Sequence, residues 1–400
     1  MKKYLLKKIC VLLIASFFLY FSSPVLYATE YIEEENLILK QLDDLNLSDL
    51  QKEVNRINRE IDGQFPAINL RELLLGFFRG EIRENFDFSW QQVMRMILNN
   101  LGREVAVNLN LLGQIIILAV MSAVLSIFHQ SFSSKTISNT ANTLIFLIIS
   151  VLVLQAFQVA ISIGVETVDR MVTFMQALLP ILLTLLISMG AVSSAAIFHP
   201  LTYLIITALS TLINYVVFPM IFLSAVMSIV TRINENISLS RLAKLFKEIS
   251  MATLGLMLML FIGGLLLQGG AAAITDSLTL RTAKYLTGTF VPVIGGIFSD
   301  AVDLIVTCSL IIKNALNFFS MFVIVSIISI PIVKLIALIF IYKLASAIVQ
   351  PIADSRLVDI LNDTANSLIM VFLVLTAVTI MFFIVLTVLV GTANLTVMMR

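Results

Sequence analysis

The chain reads as an all-α polytopic membrane bundle. Three observations predict it: 59% of the 400 residues are hydrophobic, only 13% are charged, and mean hydropathy is +1.01. Soluble domains carry roughly 25% charged residues, and apolar runs of about 18 residues or more read as spanning helices. With 26 basic and 25 acidic side chains the net charge is +1, so nothing global points to nucleic acid as a partner. The natural surroundings are a lipid bilayer.

Residues 1–28 have the three parts of a signal peptide: Lys2, Lys3, Lys7 and Lys8 at the start, an apolar stretch from Ile9 to Phe21, and the small residue Ala28. Cleavage after Ala28 is expected. Leu26 is larger than that position prefers, so an uncleaved anchor stays open as the alternative, and either way the following segment is exported. Cys10 falls in this leader and Cys308 in an apolar run, which gives no disulfide framework.

Residues 29–106 are polar and read as an exported region of amphipathic helices. Ser48 and Gln51 form a capping-box pattern, and Leu50, Val54, Ile57 and Ile61 recur at helical spacing before Gly63. Asn69 with Glu72 opens a second short helix. Ser89 with Gln92 opens a third that runs on into the membrane part. These helices form either an intramolecular hairpin or a partner-binding surface.

Residues 107–400 form the polytopic transmembrane domain. Its apolar runs are Leu111–Phe128, Thr143–Val165, Met171–Met189, Leu201–Val230, Met251–Ile274, Phe290–Ile312, Phe318–Ile348 and Leu368–Val390. Glu166, Asp169 and Arg170 read as a short charged loop between the second and third. If all eight runs cross, the loop Thr231–Ser250, with Arg232, Arg241, Lys244 and Lys247, lies outside, against the positive-inside tendency. A re-entrant hairpin around Gly190–Pro200 moves it inside, so seven or eight spanning segments are expected, with seven favoured. Pro180, Pro219 and Pro331 mark kinks.

The polar residues inside these runs are the candidate functional ones. Asp300 and Asp303 share a helix face three residues apart, after Pro292 and the Gly295-Gly296 pair. They either coordinate a cation, relay protons or line a lumen, or they sit in the first turn of a helix that starts near Ser299, at a membrane boundary. Lys334, just beyond Pro331, is a candidate partner for either acid. Gln155 and Gln158 suit hydrogen bonds to a neighbouring helix. His199, beside Pro200, reads as a structural histidine in a connection rather than a metal ligand. The pairs Gly263-Gly264, Gly269-Gly270 and Gly295-Gly296 suit close helix packing.

Several motifs are missing from the sequence. It has no GxxxxGK[ST] loop, no HExxH pair and no GxSxG elbow. An intramembrane aspartyl dyad draws its acids from facing helices rather than from one segment. The chain therefore reads as a non-enzyme with no cofactor and no metal.

Two stretches resemble the stage III sporulation protein AE family: FMQALLPILLTLLISMGAVSSAAIFHPL from Phe174 to Leu201, and LTGTFVPVIGGIFSDAVDLIVTCSLIIKNA from Leu286 to Ala315. The signal-like leader and polar helical region extend the likeness over essentially the whole chain. That resemblance implies a multipass subunit of a channel-like complex joining mother cell and forespore, needed for late forespore development. It implies location in the mother-cell-derived membrane around the forespore, with residues 29–106 in the intermembrane space. Its partners would be the other membrane proteins of the same sporulation operon and a forespore-side membrane partner; a homo-oligomer is also open. The alternative is a self-contained secondary transporter with Asp300, Asp303 and Lys334 as coupling residues.

Overall fold

The computed structural model describes residues 45, 47–61, 72, 76, 90–131, 135–233, 239–290 and 294–398, with backbone alone at 60–61, 90–94, 125–131, 135–143, 233, 266–290, 294–303, 390 and 392–398. The expected signal peptide lies outside these residues. Met1–Leu45 and Asn46–Arg400 are separate compact units, and the elements below belong to the second.

Every described element is helical: α1 (Ser48–Ile61), α2 (Trp90–Ser131), α3 (Lys135–Ser188), α4 (Val192–Leu212), a π-helical turn (Ile213–Val217), α5 (Phe218–Ile233), α6 (Ser240–Phe290), α7 (Ile294–Val349) and α8 (Ser355–Met398). Six stretches within them are long and apolar enough to cross a membrane, by length and composition: Arg95–Val124, Leu144–Ser188, Val192–Arg232, Ser240–Leu265, Leu304–Val349 and Ser355–Leu389. The eight apolar runs are therefore carried on fewer, longer helices. Thr143–Val165 and Met171–Met189 fall almost wholly on α3, and Phe318–Ile348 continues most of Phe290–Ile312 on α7. Glu166, Asp169 and Arg170 are thus not in a loop but inside α3. Lys313 and Asn317, which separate the two α7 runs, are helical and buried.

The antiparallel pair α7 and α8 forms the centre, with α2 and α3 packed on it together with α5 and α6. The most apolar windows of α7 and α8 are 56% buried, against 22% for those of α2 and α6. Asp354 turns the chain between the central helices, its Oδ1 accepting the Arg356 backbone N–H at 3.0 Å, an N-cap bond. Ser346 Oγ donates to the Val358 carbonyl at 3.2 Å, and Lys343 Nζ donates to the side-chain carbonyls of Asn362 and Asn366. Ser228 of α5 donates to Asp363 at 2.8 Å, and Arg232 pairs with Asp359 at 2.7 Å and Asp363 at 3.5 Å. These bonds join α5, α7 and α8 at one end.

Helix α3 runs alongside α8 in the same direction. The Arg356 guanidinium lies over the Phe146 ring at 5.7 Å, and further along Thr379 Oγ1 donates to Met171 Sδ at 3.8 Å. Between them Gly164 lets three helices meet. A Cβ there would stand 2.8 Å from Phe218 Cζ and 3.3 Å from Val371 Cγ1, so only glycine fits without displacing α5 or α8. Of the glycine pairs singled out by sequence, Gly263-Gly264 behaves differently: among the described residues nothing stands within 4 Å of where a Cβ would be.

Between α3 and α4 the chain reverses in three residues. Gly190 has φ 81°; its N–H bonds the Ile187 carbonyl at 2.8 Å, and the Ala191 N–H bonds Leu186 at 3.0 Å. This Schellman arrangement needs a left-handed residue at Gly190. The hairpin turn is real, but it is shorter than the Gly190–Pro200 connection expected, because His199 and Pro200 already belong to α4. Near the other end of α4, Pro219 has no N–H to offer Tyr215 and its ring crowds that carbonyl. The π-helical turn occupies this place, with the Phe218 N–H reaching Ile213.

Helix α1 is as amphipathic as its spacing predicts. Leu50 and Val54 are 0% exposed and Ile57 is 4% exposed, and α1 packs on α3 and α7. Each such side chain contributes about 1.5–3 kcal/mol by leaving water. The first turn opens one residue before the expected Ser48 cap, with the Gln51 N–H bonding the Leu47 carbonyl at 2.8 Å, and the Gln51 side-chain amide donates to Asn55 at 3.2 Å.

Candidate functional site

A cleft of about 260 Å³ opens between α3 and α7. Ile163, Glu166, Thr167 and Arg170 line it from α3, at spacings that put them on one helix face. Ser326, Ile327, Ile330, Pro331 and Lys334 line it from α7 in the same way, and Ile57 of α1 completes the wall. Because Pro331 has no N–H, the Ile327 carbonyl lacks its normal intrahelical donor.

Glu166 and Arg170 form an ion pair one turn apart on α3. Thr167 and Ser326 donate their hydroxyl protons to their own helices, at 2.6 Å to the Ile163 carbonyl and 2.9 Å to the Phe322 carbonyl. Their oxygens keep acceptor capacity. Among the described residues Lys334 makes no hydrogen bond or ion pair. The charged groups of the described lining are Glu166, Arg170 and Lys334. On another side of α3, Asp169 Oδ1 accepts bonds from Asn214 Nδ2 at 2.6 Å and Ser210 Oγ at 3.3 Å. That seam ties α3 to α4 and the π-helical turn.

By position in the sequence the cleft falls midway along two candidate spans of 45 and 46 residues, each about twice the ~20 residues that one crossing needs. Residues 163–170 are central in Leu144–Ser188, and residues 326–334 are central in Leu304–Val349. The neighbouring contacts at Gly164 and Met171 bring Val371 and Thr379 of α8 to the same level. Charge at that level needs water or protein around it, not hydrocarbon. Helix α1 supports this, since its outward side carries exposed Lys52, Arg56 and Arg59.

The predicted residues divide accordingly. Lys334 lines the same cleft as Glu166 and Arg170 and lies on the same helix as Asp300 and Asp303, more than thirty residues further along. Asp300 and Asp303 are on the backbone of α7, which starts at Ile294 rather than Ser299, so Asp300 lies beyond the first turn; both side chains lie outside the described residues. Gly295 and Gly296 are in that first turn, and Pro292, between α6 and α7, is outside the described residues. Gln155 and Gln158 are exposed on α3, and His199 is exposed on α4. No hydrogen bond joins these three to another helix among the described residues. Glu166, Thr167, Arg170 and Ser326 were missed as site residues. The charged trio interrupted an apolar run and so resembled a loop, although its i, i+3 and i+4 spacing was available as a signal.

The fold and its charged cleft define a helical, multipass membrane-type protein. The stage III sporulation protein AE family model matches residues 70–393. The stage III sporulation protein AE of Bacillus subtilis (strain 168) is 37% identical over 346 residues, covering 86% of each chain. The chain belongs to the stage III sporulation protein AE family. No solved structure matches it.

Proposed function

We propose that this protein is a non-enzymatic multipass subunit of a channel-like complex between mother cell and forespore, needed for late forespore development. The observation that carries the reading is the charged cleft of Glu166, Arg170 and Lys334 near the middle of the candidate spans. Such residues in membrane proteins face an aqueous cavity or a protein partner. Family membership supports the sporulation setting. The protein sits in the mother-cell-derived membrane around the forespore, with the polar region of residues 29–106 toward the intermembrane space and α1 docked on α3 and α7 at that side. Its partners are membrane proteins of the same operon and a forespore-side membrane protein.

The test replaces Glu166, Lys334, Asp300 and Asp303 by their neutral isosteres or near-isosteres, Gln or Asn, singly and in pairs. Spore yield, late forespore gene expression, protein level and co-purification of the operon's other membrane proteins are measured in the same cells. Normal assembly with lost forespore expression is the expected outcome for the cleft variants. Normal sporulation in every variant would sink the reading.

A further inference from the structure

We infer that the cleft between α3 and α7 is a binding site for a small organic anion carrying a carboxylate. Three features of the cleft define the ligand. First, Glu166 is paired with Arg170, while Lys334 has no hydrogen-bond or ion-pair partner among the described residues. An ammonium set among apolar side chains is costly without an anion beside it. Second, apolar and polar groups share the lining, with Ile57, Ile163, Ile327, Ile330 and Pro331 around the charged side chains. A single ammonium in such a wall suits a singly charged acid with an apolar body better than a strongly hydrated phosphate. Third, the volume of about 260 Å³ admits a small molecule as well as water.

The residues take distinct roles. Lys334 supplies the charge that holds the carboxylate. Arg170, paired with Glu166, lines the same space, and the Glu166 carboxylate competes with a ligand for it. Ile57 closes the wall from α1, so a filled cleft and a docked α1 support each other. The inference rests on the same cleft as the channel reading, but its test is binding by the purified protein, which can fail or succeed separately from that reading.

The test is calorimetric titration of the purified full-length protein in detergent with short-chain carboxylates, at fixed ionic strength. Inorganic phosphate and chloride serve as comparison ligands. Saturable carboxylate binding is expected, weakened about tenfold or more by Lys334→Gln and blocked by Ile57→Trp, which fills the cleft. Glu166→Gln keeps the fold and is expected to tighten binding, because it removes the competing acid; this variant separates loss of a ligand contact from loss of folding. The inference is overturned by absence of saturation in the unaltered protein, by equal binding to the Lys334→Gln protein, or by binding of phosphate in preference to every carboxylate.

Discussion

Gly164 offers the sharpest stability test of the bundle. Replacing it by Ala places a methyl 2.8 Å from Phe218 Cζ and 3.3 Å from Val371 Cγ1. Both partners are 0% exposed, so neither has room to yield without moving α5 or α8. Overpacking of this kind costs about 1–3 kcal/mol, while Gly to Ala in a helix interior returns about 1 kcal/mol. The balance is a net loss of up to about 2 kcal/mol for Ala, and more for Val, whose extra methyls meet the same neighbours. Cys308 is buried and provides a built-in reporter. With Cys10 replaced by Ser, reaction of a thiol-specific fluorophore during heating follows exposure of Cys308. A lower midpoint for Gly164→Ala and a lower one still for Gly164→Val are expected. A higher midpoint for Gly164→Ala would mean that propensity acts alone and that the three-helix contact does not exist.

Other expectations follow from single contacts. Arg232→Ala removes the pairs to Asp359 and Asp363, but these groups are partly exposed, so the loss should stay below about 1 kcal/mol and shrink with added salt; a larger, salt-independent loss would contradict a surface clasp. Asp169 and Asn214 share a 2.6 Å hydrogen bond, and a double-mutant cycle with Ala at both should give a coupling of about 1 kcal/mol in thermal or denaturant unfolding. Val54→Asp puts a charge into the buried face of α1 and should expose that helix to limited proteolysis while α2 to α8 stay resistant; uniform resistance would show that α1 is not held by that face.

Much of the architecture was legible because it rests on local pattern. The spacing of Leu50, Val54 and Ile57 gave the buried face of α1, and apolar length gave the spanning helices. Helix continuity was not legible. Hydropathy treats Glu166–Arg170 and Lys313–Asn317 as interruptions, yet both stretches are helical, because charged side chains spaced three and four apart do not stop a helix. The burial of Lys313 at 1% exposure and Asn317 at 2% depends on neighbours remote in sequence. For the same reason Lys334 was recognisable as unusual while its company in the cleft was not. The role of Gly164 depends on Phe218 and Val371, far away in the chain, whereas the more conspicuous pair Gly263-Gly264 has no such neighbour among the described residues.

The claim that the cleft is a wet, charged site within the apolar spans can be tested by cysteine labelling in intact membranes. Single cysteines replace Glu166, Lys334 and, as a reference, Val159, which is 56% exposed on α3 and would face lipid. A small, membrane-impermeant, water-soluble thiol reagent is applied from each side of the membrane. Reaction at positions 166 and 334, with none at 159, is the expected result. Silence at all three positions would mean that the cleft is sealed from water and would contradict its role as part of an aqueous path.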